Sequence, residues 1–265
     1  MSRIRIGNQT SKTAASPTMP FEYALKKGFD AFEWFPDKDA SGQGWEEKDL
    51  LPGTRERIRG LGLARDISFS VHAPIRADVF NPDPVAAFRE SLKLFEDIGA
   101  SHFIVHFPDN YDARDILDAL TPLIYSLREK KGYLSIENTP STSPGGINRF
   151  FSLLKGAKIS DGHVGLCLDL GHANIHDTTR NDYLGYIHGI EESVPVIHVH
   201  AHENYGDADS HLPLFSGPSA LDDKGIRLFI QWLKQRDFRG VIIMEQWPYP
   251  PELLGRARDR LMGMF

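Results

Sequence analysis

The sequence predicts a single (β/α)8 TIM barrel spanning residues 1–265. Eight short apolar segments alternate along the chain with longer segments whose apolar residues recur every three or four positions. This alternation is typical of a parallel sheet with crossover helices. The chain length of 265 residues is close to the roughly 250 that such a barrel needs. No Gly-rich phosphate-binding fingerprint follows the first strand, so a dinucleotide-binding fold has no support.

The eight predicted strands are short runs rich in β-branched and apolar residues. They span residues 3–7, 30–34, 67–72, 102–106, 132–137, 163–169, 195–201 and 239–245. Apolar stripes at helical spacing lie between them and predict the crossover helices. The stripes are formed by Phe88, Leu92, Phe95 and Ile98, by Leu117, Leu120, Leu123 and Leu127, and by Leu228, Ile230 and Leu233.

Composition indicates a soluble globular protein, with 41% apolar and 25% charged residues. The formal net charge of -6 argues against broad attraction to nucleic acid or anionic membrane. The single cysteine, Cys167, excludes an intrachain disulfide and fits a reducing compartment. The first twelve residues lack the apolar core of a signal peptide, and no apolar run approaches the roughly 20 residues of a membrane span. We therefore expect a cytoplasmic protein without membrane contact.

Metal-type ligands stand where the predicted strands end. In a parallel barrel the carboxyl ends of all strands open onto one face, so these side chains converge on one pocket. Four of them, three carboxylates and one imidazole, suit a divalent cation such as Mn²⁺, Mg²⁺ or Zn²⁺. These four are Glu137, Asp169, His200 and Glu245.

Further groups could extend this set to more ions. His72 and His106 end the third and fourth strands, and Glu137 could bridge to an ion that they hold. A third ion would need the loop of residues 203–217 to fold back, so that Asp209 and His211 approach His172. For each of these residues the alternative is a purely structural role, such as a buried salt bridge or a hydrogen-bonded histidine.

Alternation along the seventh strand predicts the direction of its histidines. His198, His200 and His202 have the same parity and should point to one side. We expect His200 at the rim as the ligand, His198 one layer deeper, and His202 above it, towards the following loop. Three further residues near strand ends, Glu33, Trp34 and Trp247, are predicted with His202 to bind substrate. The alternatives are a supporting contact to a ligand or a surface ion pair for Glu33, a supporting or packing role for His202, and packing at the rim of the barrel for the two tryptophans.

The segments HAP, IVH, IENT, CLDLGHA and HVHAHE, followed by D-x-H, resemble the xylose-isomerase-like TIM barrel superfamily. Within it, they are most similar to AP endonuclease family 2, the endonuclease IV type, over about residues 70–245. The resemblance implies up to three zinc ions. Their ligands would be His72, His106 and bridging Glu137 for the first, Asp169, His200 and Glu245 for the second, and His172, Asp209 and His211 for the third.

The resemblance implies a metal-dependent hydrolase in which clustered ions bind phosphate oxygens and activate a water that attacks a phosphoester. Glu137 would orient the attacking water, and Glu245 would accept its proton. The alternative is a sugar or sugar-phosphate isomerase or epimerase. One Mn²⁺ or Mg²⁺ would then polarise the substrate, and Glu137 and Glu245 would move protons as acid and base.

The loops expected around the site favour a small substrate, a phosphoester or a sugar, over DNA. A DNA groove should gather Lys and Arg for phosphate contacts, yet residues 35–50 contain no Arg and more acidic than basic residues. The segment after His72, APIRA, also lacks the aromatic and apolar pair with which the family's endonucleases wedge into DNA. A barrel that only binds a partner is disfavoured, because an unused cluster of acids and imidazoles would destabilise the fold. The oligomeric state is not indicated.

Overall fold

Eight parallel strands form a closed barrel in which neighbours in sequence pair with each other and the last strand pairs with the first. The computed structural model describes residues 3–75, 77–159 and 162–265, so Arg76 of the APIRA segment lies outside the described residues. The predicted fold class is confirmed. The strands are β1 (Arg5–Gln9), β2 (Ala31–Trp34), β3 (Ser68–His72), β4 (His102–His106), β5 (Tyr133–Glu137), β6 (Val164–Asp169), β7 (Val196–His200) and β8 (Val241–Met244).

Helices follow the strands and cover the outside of the barrel. They are α1 (Met19–Lys27), α2 (Pro52–Arg65), α3 (Pro84–Ala87), α4 (Arg89–Ile98), α5 (Ala113–Glu129), α6 (Pro144–Ala157), α7 (Leu170–Ile175), α8 (Tyr183–His188), α9 (Lys224–Gln235) and α10 (Glu252–Met262). Local signals place several helix starts. The Asp112 carboxylate accepts a hydrogen bond from the backbone N–H of Arg114 at the start of α5, and Ser143 caps α6 in the same way. None of the helices in the described ranges is long and apolar enough to cross a membrane.

The predicted apolar stripes are buried in α4 and α5, but the stripe predicted in α9 is wrong at one position. Leu228 is 40% exposed. The buried face of α9 is formed by Ile226, Phe229, Ile230 and Leu233, which recur at the spacing of one helical face. Leu228 is two residues from Ile226, and a helix turns about 200° over that interval. It therefore points to the opposite side.

Alternation along the strands separates two layers of side chains. Residues of one parity, such as Phe32, Trp34 and Val71, pack against the helices in the main hydrophobic core. Residues of the other parity point into the barrel, where Ala31, Val241 and Ile243 form a small apolar cluster. Most other inward positions are polar. They include Glu33, Ser70, His102, Ser135 and His198, and they lie beneath the strand ends that carry the predicted ligands.

Candidate metal centre

The carboxyl ends of β5 to β8 bring four predicted ligands together. Ligand atoms of Glu137, Asp169, His200 and Glu245 all lie within 4.8 Å of one another, and all four residues are buried. Nδ1 of His200 is 3.1 Å from Oε1 of Glu245, 3.4 Å from Oε2 of Glu137 and 3.9 Å from Oδ2 of Asp169. Ligands that share an ion with bonds of about 2.0–2.2 Å stand roughly 3–4 Å apart. The spacing therefore fits one divalent cation.

His72 and His106 lie on the other side of Glu137. Nε2 of His72 is 2.8 Å from Oε2 of Glu137, and Nε2 of His106 is 3.6 Å from the same oxygen. His72 is buried, whereas the His106 side chain is 31% exposed and faces the mouth of the barrel. Glu137 thus stands between this pair and His200, in the position that a bridging carboxylate would need.

The loop after β7 folds back over the site. Glu203 and Leu212 exchange two backbone hydrogen bonds of 2.8 Å, which close the segment between them into a tight loop. This closure places Oδ2 of Asp209 3.3 Å from Nε2 of His172 and 3.0 Å from Nε2 of His211. Asp209 therefore contacts both of the histidines predicted to share a third ion with it, and His202 is grouped with Asp209 and His211 in the same cluster.

Three of these imidazoles are oriented by backbone carbonyls. In each, Nδ1 lies within hydrogen-bond distance of a carbonyl oxygen, which can only accept, so Nδ1 carries the proton. The pairs are His72 with Ala73 at 2.7 Å, His172 with Asn138 at 2.8 Å and His211 with Glu245 at 3.2 Å. Nε2 of each ring then faces a carboxylate. Two lone pairs cannot face each other at such distances without a proton or a cation between them, and this arrangement is usual for histidines that bind metals.

Buried atoms without partners also fit a bound cation. Nδ1 of His200 and Oε2 of Glu245 have no hydrogen-bond partner among the described residues, although both side chains are at most 5% exposed. Buried polar atoms are nearly always paired. Imidazole nitrogens and carboxylate oxygens together suit Zn²⁺ or Mn²⁺, and the donor set therefore fits the metal that the sequence predicts.

The titratable groups of the site have pKa values that are shifted by burial and by their charged neighbours. Burial lowers the pKa of His172, but the carboxylates of Asp169, Asp209 and Glu137 outweigh it and raise that pKa to about 12. Burial raises the pKa of Glu245 well above its usual range. The neighbouring charges of Asp169 and Glu137 add to this rise, and His200 offsets only part of it.

His106 and Glu137 shift in a different way. Burial dominates at His106 and lowers its pKa to about 4, although the Glu137 charge acts in the opposite direction. Burial would raise the pKa of Glu137, but His200 and His106 hold it well below its usual range. The carboxylate of Glu137 is thus stabilised in its charged form by the imidazoles around it.

Two residues predicted to bind substrate lie elsewhere. Trp34 is fully buried and packs edge-on against Phe32 and Trp45 in the hydrophobic core, so the prediction that it binds substrate is wrong. The reason is the alternation of β2, which turns Trp34 towards the helices and Glu33 into the barrel. Glu33 is also fully buried, beneath His200, and cannot reach a substrate at the mouth.

His202 and Trp247 remain near the mouth. His202 is buried, and its Nε2 is 3.1 Å from Oδ2 of Asp169. Its ring stacks on His211 with a centroid distance of 4.0 Å. His202 therefore belongs to the cluster of ligand residues, which leaves it no exposed surface for a substrate. Trp247 is half-buried and lines a cavity of about 220 Å³ beside Glu245, so its role in substrate binding stays a prediction.

Sequence reasoning missed Asn138 and Gly171, which support the ligands. The Asn138 side chain donates to the carbonyl of Asp169 and accepts from its N–H, at 3.0 and 2.8 Å, which ties the end of β6 to the end of β5. Gly171 lies directly against the His202 ring. Asn138 directly follows the predicted ligand Glu137 in the IENT motif. Gly171 directly precedes the predicted ligand His172 in the CLDLGHA motif.

Comparisons with known proteins show the family and the fold of the chain. The model of the family described as xylose isomerase-like TIM barrel matches residues 21–262. No curated protein matches the chain.

Solved structures with the same fold cover nearly the whole chain. Endonuclease IV from Thermus thermophilus is 21% identical, with 98% of each chain covered and a TM-score of 0.65. A xylose isomerase domain containing protein from Salmonella typhimurium is 14% identical, with 97% of each chain covered and a TM-score of 0.68. The IOLI protein, solved with a zinc atom bound, is 13% identical, with 98% of this chain and 97% of that chain covered and a TM-score of 0.65. At these identities the likeness establishes the fold alone.

Proposed function

Because the chain belongs to the xylose isomerase-like TIM barrel family, we propose that it is a divalent-metal-dependent hydrolase of the endonuclease IV type that cleaves a phosphoester. The observation that carries the proposal is the folded loop that places Oδ2 of Asp209 3.3 Å from Nε2 of His172 and 3.0 Å from Nε2 of His211. An enzyme that used one ion at the ends of β5 to β8 would not need Asp209 and His211. Zinc is the metal that we propose, with up to three ions per chain.

The proposed chemistry assigns different roles to Glu137 and Glu245. Bound divalent ions would stabilise charge on phosphate oxygens and make a water nucleophilic. Glu137, placed between His72 and His200, would orient the attacking water. Glu245, whose Oε1 is 3.1 Å from Nδ1 of His200, would accept a proton from that water.

A small phosphoester fits the mouth of the barrel better than duplex DNA does. The cavity beside Glu245 has a volume of about 220 Å³ and is lined by polar and aromatic residues that include Gln9, Phe35 and Trp247. Among the described residues that line this cavity, the cationic residue is Lys12, which is paired with Asp37 at 2.7 Å. A wall of this kind offers little positive charge for a long phosphate backbone.

A sugar isomerase or epimerase is the second candidate, and the burial of the central group favours it. Glu137, Asp169, His200 and Glu245 are all buried, whereas Asp209 and His211 have side chains that are 34% and 37% exposed. One Mn²⁺ or Mg²⁺ at the buried group would suffice for that chemistry. Glu137 and Glu245 would then act on protons of the substrate.

An activity assay with three kinds of substrate tests the proposal. The zinc-loaded protein is incubated with a small phosphodiester, with an abasic DNA duplex and with a panel of aldoses and ketoses. We expect hydrolysis of the small phosphodiester that disappears in the Glu137→Gln variant. Isomerisation of a sugar by the manganese-loaded protein, with no phosphoester cleavage under any metal, would refute the hydrolase and establish the second candidate. Cleavage of the abasic duplex alone would retain the hydrolase and overturn the preference for a small substrate.

A further inference from the structure

His200 differs from His72 and His172 in the partner of the ring nitrogen that points away from the site. His72 and His172 each direct Nδ1 to a backbone carbonyl and Nε2 to the site. His200 is turned the other way, with Nδ1 facing the carboxylates of the site. Its Nε2 points down into the barrel, where no backbone carbonyl of the described residues accepts from it. Oε1 of Glu33 lies 3.1 Å from this nitrogen, and Cys167 is a further buried neighbour of the His200 ring.

Glu33 is itself held in place. Its Oε2 accepts hydrogen bonds from Oγ of Ser70 at 2.8 Å and from Nε2 of His198 at 3.1 Å. The carboxylate is fully buried, and burying a charge at such a depth is costly unless polar partners compensate it. These two bonds fix the plane of the carboxylate and leave Oε1 directed at His200. Oε1 has no other hydrogen-bond partner among the described residues, and its contact with His200 is close but imperfectly aligned.

We propose that Glu33 is a positioning residue that fixes the tautomer of His200 for metal binding. When the N–H of His200 faces Glu33, the lone pair of Nδ1 points at the space between Glu137 and Glu245. A carboxylate that accepts the second N–H of a ligand histidine orients the ring and makes the ligating nitrogen more basic. Glu33 would supply to His200 what backbone carbonyls supply to His72 and His172. This inference rests on the metal centre of the proposed function, and concerns the ion that His200 holds.

The test measures metal affinity in the Glu33→Gln variant, which keeps the size of the side chain and removes its charge. Zinc affinity is measured by competition with a chromophoric chelator, and the unfolding temperature is recorded with and without zinc. We expect one ion per chain to bind about 10–100-fold more weakly than in the unsubstituted protein. The remaining ions, held through His72 and His172, should keep their affinity. Equal affinity for every ion in a folded Glu33→Gln variant would overturn the inference.

Two serines provide matched variants inside the same barrel. Ser70→Ala removes a hydrogen bond to Glu33 and should weaken the same ion by a smaller factor. Ser135→Ala removes a buried hydroxyl that contacts His102 instead and should leave every ion unchanged. If Glu33→Gln does not fold, Ser70→Ala decides, and an affinity equal to that of Ser135→Ala would overturn the inference. An unsubstituted protein that binds no zinc would refute the proposed function itself. That result is distinct from the comparison of variants, because it is measured on the unsubstituted protein.

Discussion

Gly171 and His202 pack so closely that a methyl group on Gly171 would lie 1.8 Å from Cε1 of the His202 ring. The glycine of the CLDLGHA motif therefore lets the imidazole approach Asp169, which its Nε2 contacts at 3.1 Å. The requirement is for space, since the backbone of Gly171 lies outside the left-handed region.

Gly171→Ala should therefore displace His202 and disturb the ligands around it. Overpacking of a buried site costs about 1–3 kcal/mol, so we expect the free energy of unfolding to fall by that amount and the zinc content to fall with it. Chemical denaturation and elemental analysis measure the two effects. Gly145→Ala is the control, because a methyl group there meets nothing within 4 Å. If both variants behave alike, the close packing of Gly171 has no role in the site.

Metal loading should release protons. The pKa of His172 is raised to about 12, because the carboxylates of Asp169, Asp209 and Glu137 outweigh the effect of burial. The pKa of His200 lies well above its usual range, because Cys167 and then the carboxylates of Glu245, Glu33 and Glu137 outweigh the effect of burial. An ion that binds through these imidazoles must displace the additional protons that the raised pKa values favour, so zinc affinity should rise with pH. Calorimetric titrations in two buffers with different ionisation enthalpies measure the protons released. Binding without proton release would contradict this charge state.

Asp209→Asn should separate the hydrolase from the isomerase. The amide keeps the shape of the carboxylate and removes the charge that His172 and His211 face. We expect the loss of one ion and a fall in phosphoester hydrolysis of at least about 100-fold, since even groups that only support a ligand contribute 10–100-fold. Asp207→Asn, in the same loop, is the control, because Asp207 is exposed and only caps the N–H of Ala208. Unchanged activity in Asp209→Asn would favour the one-metal isomerase.

The two tryptophans near strand ends should give opposite results. Trp34→Ala leaves a cavity in the core and should lower the free energy of unfolding by about 3–5 kcal/mol, without a change in the KM of the folded enzyme. Trp247→Ala should raise KM by about tenfold, which corresponds to roughly 1.4 kcal/mol of binding free energy. Its effect on stability should be smaller, because Trp247 is only half-buried. Steady-state kinetics and denaturation curves distinguish the two, and a raised KM in Trp34→Ala would contradict its place in the core.

Much of the fold was predictable because strands of a barrel are bounded by turns and carry regular alternation. The observed strands begin and end within two residues of their predicted limits. The same alternation explains why the prediction that Trp34 on β2 binds substrate is wrong. Since Glu33 points into the barrel, its neighbour Trp34 must face the helices, so that error could have been avoided from the sequence.

The position of the loop after β7 was not predictable from the sequence. The contacts of Asp209 with His172 and His211, and the stacking of His202 on His211, depend on a closure between Glu203 and Leu212 that no local periodicity encodes. The residue types of the loop predict it as a source of ligands for a third ion, but the distances between these ligands are not predictable from the sequence. Likewise, the apposition of Glu33 and His200, 167 positions apart, depends on the closed barrel that brings β2 and β7 to one interior.

The number of bound ions tests the central claim most directly. The protein is purified without chelators, and its metal content per chain is measured by elemental analysis after exhaustive dialysis. The arrangement of His72, His106, His172, Asp209 and His211 around the buried group predicts two or three tightly bound zinc or similar ions per chain. A single, readily exchanged Mn²⁺ or Mg²⁺ per chain would contradict it.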